Sequence, residues 1–204
     1  MVPQSYYVYR QPPPAPLPTY CCLLSPSKQQ LDKLTHSIFL LFAPLYPETL
    51  LSMPQATPYI STTLQLTSVG LQLYQNITGF LMFSSVRSKA TFGELLHLLL
   101  LIDLVCQKER AKKEQAKLDS SASSSVPASS DRITIDQFGT LLLTCLILSE
   151  KLNRDAPYSN SWWSRLVNAP LDVINNSEIV ILTKLNFQLM IRDTELSDLL
   201  VLFS

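Results

Sequence analysis

The chain is short of charge, of glycine and of histidine. Of its 204 residues 16% are charged, four are glycine and two are histidine. So few glycines leave no phosphate-binding loop, and no Ser/His/Asp or Cys/His set has a spacing suited to catalysis. The 16 basic and 16 acidic residues cancel, so the positive excess of nucleic-acid binders is missing. We therefore expect no enzyme, no metal, no cofactor and no nucleic-acid partner.

Cysteine is also sparse. Cys21, Cys22, Cys106 and Cys145 match neither a zinc nor a redox spacing. Cys106 and Cys145 lie in apolar runs, where a free thiol behaves as a small buried hydrophobe. Residues 1–10 lack the basic start and apolar centre of an export signal, so we expect a reducing compartment.

The longest stretch without charge, Thr49–Val86, raises the question of a membrane span. Crossing a bilayer takes about 20 mostly apolar residues. Pro54 and Pro58 break the stretch, and glutamine and asparagine side chains follow. This polar content favours an amphipathic helix, and we expect no membrane partner.

Proline and serine mark two segments that we expect to be disordered. Eleven of the fourteen prolines lie before residue 60, and Pro12-Pro13-Pro14 favours polyproline II structure. We expect a disordered tail over 1–30 and one domain over 31–204. Within it, residues 108–131 join a charged stretch to a Ser-rich one, which predicts a flexible insert.

The rest of the chain has helical periodicity, with apolar residues at steps of three and four. The predicted helices cover about 29–42, 61–83, 95–106, 135–152, a short stretch around the two tryptophans, 171–188 and a final stretch ending at Phe203. No strand pattern competes, so the predicted fold is all-α with about five core helices.

Local signals place the ends of these helices. Thr91 with Glu94 and Thr134 with Gln137 have the spacing of capping boxes. Ser159 or Asn160 can cap the tryptophan helix, and Asp193 or Thr194 the final one. Asn168 and Pro170 stand where an N-cap and an early helical proline are expected.

Two charges lie inside apolar helical stretches. They are Lys151, near the end of one predicted helix, and Glu178, inside the next long one. A buried charge without a partner is costly. These two residues therefore form either an internal ion pair or part of a binding surface, and the two roles are compatible.

Three segments carry a family resemblance. They are Cys145–Leu152 (CLILSEKL), Tyr158-Ser159-Asn160 with Trp162 and Trp163, and Leu171–Leu189. In this order and spacing they resemble the second half of a cyclin box, most closely that of the short fungal Pcl-type cyclins. Leu98–Val105 is weakly similar to the second helix of the box. The chain departs from the family pattern at Glu150, Leu152 and Asn153-Arg154.

The resemblance implies a single five-helix cyclin box. It further implies a regulatory subunit, in nucleus and cytoplasm, that activates a cyclin-dependent protein kinase of the phosphate or nutrient type and directs its substrate choice. In this family the residues at Lys151 and Glu178 bond to backbone around the kinase's regulatory helix, and Leu148 and Leu152 would give apolar support. The alternative is a cyclin-fold scaffold or transcription-related adaptor that binds no kinase.

The resemblance also bears on Asp103, which matches an acid that usually pairs with an arginine on the first helix. No basic residue occurs from 49 to 86, so Asp103 is expected to use Lys108, a backbone donor or water. His97 is expected to be a packed residue, since nothing nearby completes a metal site. Trp162 and Trp163 are expected to be mainly core aromatics.

Two candidate phosphosites lie in the proline-rich part of the chain. Ser25-Pro26-Ser27-Lys28 fits the proline-directed kinase pattern S-P-x-K, and Thr57-Pro58 fits the minimal pattern. Proline-rich segments also contain such dipeptides by chance. Both interpretations stay open on the sequence.

Overall fold

The structure, a computed structural model, describes residues 24–51, 66–120, 133–189 and 191–203. The part of the predicted tail before Leu24, the Ser-rich part of the predicted insert and Thr57 lie outside these ranges. The last three residues of the predicted tail, 28–30, belong to the first helix. The described residues form eight α-helices: α1 Lys28–Phe42, α2 Pro47–Leu50, α3 Ser68–Arg87, α4 Phe92–Ser120, α5 Phe138–Asn153, α6 Asn160–Val167, α7 Leu171–Lys184 and α8 Asp193–Phe203.

Helix is the dominant structure of the described ranges. Two 3-10 turns, Ala43–Leu45 and Ile135–Gln137, precede α2 and α5. A single antiparallel bridge joins Leu51 to Leu66, and these ranges contain no strand. The predicted all-α class is confirmed.

Helix α4 is the centre of the packing. Its first half is apolar on every side, and such a helix is stable only when other helices surround it. It packs most extensively against α5 and also contacts α1, α7 and α8. Leu95, Leu98 and Ile102 have no exposed surface. This first half of α4 is therefore buried among the other helices.

The predicted capping boxes are present at both sites. In the first, the Thr91 amide donates to Glu94 Oε2 at 2.7 Å and the Glu94 amide to Thr91 Oγ1 at 3.3 Å. In the second, Thr134 and Gln137 bond reciprocally ahead of α5. Each box satisfies backbone N–H groups that have no partner within the helix.

The first part of the predicted insert, residues 108–120, continues α4. Arg110 donates to the Leu41 carbonyl at 2.7 Å and Lys113 to the Leu45 carbonyl at 3.4 Å. Lys184 of α7 pairs with Glu109, and both side chains are 5% exposed. The charged stretch therefore has partners on α1 and α7 that its composition did not reveal.

Three predicted helix ends are corrected. Helix α3 begins at Ser68 instead of 61, and α7 ends at Lys184 instead of 188. Asn168 is the C-cap of α6 in the left-handed conformation, with φ 51°, and Pro170 is the N-cap of α7. Asparagine tolerates that conformation better than most residues, which suits it to this end of a helix.

Candidate functional site

The two charges singled out in the sequence meet between α5 and α7. Lys151 Nζ lies 2.6 Å from Glu178 Oε1 and 2.9 Å from Oε2. The Lys151 side chain is 34% exposed and that of Glu178 is 10% exposed. The internal ion pair is therefore present. The pair lies near the protein surface, because about a third of the Lys151 side chain is exposed to solvent.

Asn160, the first residue of α6, completes this pair. Its Nδ2 donates to Glu178 Oε2 and, at 2.8 Å, to Asn175 Oδ1. Its Oδ1 is buried without a hydrogen-bond partner. Asn160 was not predicted as a site residue, although its place in the Tyr158-Ser159-Asn160 motif was a usable signal.

The two apolar residues predicted beside the pair differ in position. Leu148 is 4% exposed and belongs to the core, whereas Leu152 is 49% exposed. Only Leu152 can contact a partner directly, and Leu148 supports α5 from beneath. Further large apolar side chains of α7 and the turn after it are exposed: Leu171, Val173, Ile179, Val180 and Phe187. Leu171, at the start of α7, is 41% exposed.

Arg154, the residue immediately after α5, contacts two acidic side chains and two backbone carbonyls. Its Nε lies 2.5 Å from Glu94 Oε1 and its second terminal nitrogen 2.8 Å from Glu94 Oε2. The other contacts go to Glu150 at 3.2 Å, the Ser88 carbonyl at 3.2 Å and the Lys89 carbonyl at 3.4 Å. Four of these contacts are hydrogen bonds, two to Glu94 and one each to the carbonyls of Ser88 and Lys89. The contact with Glu150 is an ion pair only, because both carboxylate oxygens of Glu150 are buried without a hydrogen-bond partner.

Glu150 and Arg154 are two of the departures from the cyclin pattern, and they are partners of one another. The Glu150 side chain is 1% exposed. Burial raises its pKa to about 7, and the Glu94 carboxylate adds to this, while Ser88 and Arg154 oppose it. The arginine thus serves two acids, of which Glu94 has the closer, bidentate contact.

The Asp103 carboxylate has a hydrogen-bond partner within its own helix. Its Oδ2 accepts from Gln107 Nε2 at 2.7 Å, one helical turn along α4. This partner is a neutral amide at the i+4 position, which was not among the expected partners Lys108, a backbone donor or water. The half-buried carboxylate therefore needs no arginine from another helix.

His97 is held between α4 and the end of α5. Its Nδ1 accepts from Asn153 Nδ2 at 2.6 Å. Burial lowers the pKa of His97, which favours the neutral ring. The described residues contain no group of three or more potential metal ligands.

Three aromatic residues, Tyr158, Trp162 and Trp163, pack together beside Arg154. Trp163 is fully buried, and Trp162 is half-buried and stacked on Tyr158 with ring centroids 3.9 Å apart. The Arg154 guanidinium lies 5.6 Å from the centre of the Tyr158 ring. Trp163 is a core aromatic, as expected from the sequence, and Trp162 packs edge-to-face against it and stacks on Tyr158.

The remaining predicted residues are placed as follows. Cys106 and Cys145 are free and buried, as predicted. Burial raises the pKa of Cys106 to about 12 and that of Cys145 further, which suppresses thiolate chemistry. Ser25 is exposed. None of the helices searched in the described ranges has the length and apolar character to cross a bilayer.

A comparison of this chain with protein-family models, curated proteins and solved structures found no match.

Proposed function

We propose that the chain is a cyclin-like regulatory subunit that binds and activates a cyclin-dependent protein kinase and helps to choose its substrates. The observation that carries this proposal is the meeting of Lys151 and Glu178 across 27 residues of sequence. The cyclin resemblance assigns these two positions to the kinase-facing surface. The chain itself is proposed to have no catalytic role, and phosphoryl transfer would belong to the kinase.

The surface around Lys151 suits a partner that presents backbone carbonyl groups. The Lys151 ammonium has three N–H donors, and the Glu178 carboxylate occupies part of its hydrogen-bonding capacity. A charge-assisted bond from Lys151 to a carbonyl of the partner would fix its orientation. Leu152 and the exposed apolar residues of α7 would supply buried area, as apolar surface does at interface centres.

The proposed mechanism on the chain's side is a population shift. A kinase whose regulatory helix moves between two positions is activated by a ligand that binds the active position more tightly. Glu178 and Asn160 hold Lys151 in one place before binding. Such preorganisation reduces the entropy lost on association.

The adaptor that binds no kinase has one observation in its favour. Lys151 already has a bidentate partner in Glu178, and Asp103 has a local one in Gln107. Lys151, Glu178 and Asp103 therefore each have a partner within the chain, and none of them requires a second protein. Under this alternative the pair only joins α5 to α7.

Affinity purification of the tagged chain from its native cell, with identification of bound proteins, tests the proposal. We expect a cyclin-dependent kinase, and activation of that purified kinase by the purified chain. Lys151→Ala should weaken binding at least tenfold, and Lys108→Ala, which removes an exposed lysine of α4, should leave it unchanged. If no kinase is recovered, the adaptor is favoured. Equal binding by wild type and Lys151→Ala would reject the docking role of the lysine.

A further inference from the structure

Ser25 occupies a defined position directly ahead of α1. Its side chain is exposed, and the preceding Leu24 carbonyl accepts from the Phe92 amide at 2.9 Å, which ties this segment to the start of α4. Pro26 disfavours helical conformation at Ser25. Ser25 is therefore an exposed residue in a short connection between two anchored points, Leu24 and the first turn of α1.

The connection ends in a reciprocal cap. Ser27 Oγ accepts from the Gln30 amide at 3.2 Å, and Gln30 Oε1 accepts from the Ser27 amide at 2.9 Å. Lys28 is the first residue of α1. The S-P-x-K pattern is thus divided: Ser25 and Pro26 precede the helix, and Lys28 lies within its first turn.

We propose that Ser25 is a phosphorylation site for a proline-directed protein kinase, and that the Ser27–Gln30 capping box controls how readily it is modified. An extended segment places residues about 3.3 Å apart along the chain, whereas a helix advances only about 1.5 Å per residue. A kinase that binds Ser25 and Lys28 in one extended run therefore requires the first turn of α1 to open. Helix ends open locally at low cost, and the cap sets that cost here.

The phosphoryl transfer to Ser25 needs only ATP in addition to the kinase. The Ser25 hydroxyl oxygen bonds to the γ-phosphorus, the bond from that phosphorus to the ADP oxygen breaks, and the kinase's base takes the hydroxyl proton. The first turn of α1 contains no acidic residue. The added phosphate therefore meets no negative charge there, and the positive end of the helix dipole favours it.

The test uses the full-length chain, ATP and a recombinant cyclin-dependent kinase already bound to its own cyclin. Because that kinase is supplied active, the result does not depend on whether this chain binds a kinase as a subunit. Initial rates at Ser25 are measured by mass spectrometry, which separates this site from Thr57. Ser25→Ala confirms the assignment, and Lys28→Ala should lower the rate.

The decisive comparison is Gln30→Ala against Gln29→Ala. Gln30 contributes half of the cap, whereas Gln29 is an exposed neighbour of the same type on the same turn. Losing a capping interaction of ~1 kcal/mol corresponds to about fivefold more open form. We expect about fivefold faster phosphorylation of Gln30→Ala and an unchanged rate for Gln29→Ala. Absence of phosphate at Ser25 in wild type and Gln30→Ala would overturn the site, and equal rates in wild type, Gln30→Ala and Gln29→Ala would overturn the control by the cap.

Discussion

Arg154 and Glu94 join the end of α5 to the start of α4 through two parallel N–H···O contacts of 2.5 and 2.8 Å. Glu94 belongs at the same time to the capping box of α4. The arginine also reaches the backbone that leaves α3, at Ser88 and Lys89. One side chain thus connects three helices, and the Glu94 carboxylate is its central partner.

Arg154→Ala is expected to destabilise the protein by about 3–5 kcal/mol, because removing one partner of a buried pair leaves uncompensated charge. Glu94 would be left unpaired, with a side chain that is 4% exposed, and the Ser88 carbonyl would lose a donor. Urea denaturation of the purified chain measures the free energy of unfolding. Arg165→Ala, at an exposed position of α6, is the matched control and should change it by less than about 0.5 kcal/mol. If Arg165→Ala lost as much stability as Arg154→Ala, the contacts of Arg154 with Glu94 and Ser88 would not explain the loss.

Glu150 should make stability fall as pH rises. Its pKa in the folded state is raised to about 7 from 4.5, so the folded protein binds this proton more tightly than the unfolded chain. The corresponding stability is complete below about pH 4.5 and is lost as pH rises through about 7. We expect a loss of the order of 1–3 kcal/mol from this group between these values.

The variant Glu150→Gln isolates the contribution of Glu150 to the pH dependence of stability. The amide has almost the same shape and does not titrate, so the difference in unfolding free energy between wild type and variant should change with pH. Urea unfolding curves at pH 5 and pH 8 give the free energies of unfolding, and the difference between the two proteins cancels the contributions of acids that do not interact with Glu150. Parallel pH curves for the two proteins would contradict the role of Glu150.

Two glycines of α3 should respond in opposite ways to alanine. A Cβ at Gly70 would collide with the carbonyl of Leu50, whereas one at Gly79 would meet open space. Gly70→Ala is therefore expected to cost about 1–3 kcal/mol, and Gly79→Ala to stabilise by about 0.5–1 kcal/mol. Thermal unfolding followed by circular dichroism compares the two. Stabilisation by both would show that α2 does not pack closely on α3.

The sequence predicted much of this fold because its local signals agree with its tertiary packing. The apolar periodicity of α4 and α5 and the boxes at Thr91 and Thr134 depend on residues three or four apart, and such signals are visible in a single sequence. Gly70 shows the limit. Its packing role depends on Leu50, which lies twenty residues earlier and in another helix.

The candidate site was predictable only in part, for the same reason. Lys151 and Glu178 were conspicuous because each is a charge inside an apolar stretch. Arg154 was noted only as a departure from the cyclin pattern, since its partner Glu94 lies 60 residues away. The contact at the charged end of α4 was not predicted, because Glu109 pairs with Lys184, which lies 75 residues later in the chain. Long-range pairing of charges leaves no periodic signal in the sequence.

Lys151 and Glu178 should differ in how much they contribute to stability. Lys151 is about one-third exposed, and such ion pairs contribute only about 0–1 kcal/mol. Glu178 is more deeply buried and also accepts from Asn160, which would lose that partner in Glu178→Ala. We therefore expect Lys151→Ala to retain nearly full stability in urea, and Glu178→Ala to lose about 1–3 kcal/mol. Asp172→Ala, at an exposed acid of the same helix, is the control for Glu178→Ala.

This difference makes Lys151 the informative position for function. A variant that unfolds cannot distinguish a docking role from a structural one, whereas Lys151→Ala should remain folded with its apolar surroundings intact. If it keeps its stability but loses kinase binding, the lysine acts on the partner. If instead Lys151→Ala and Glu178→Ala lose stability equally, the pair is mainly a link between α5 and α7, and the adaptor alternative gains support.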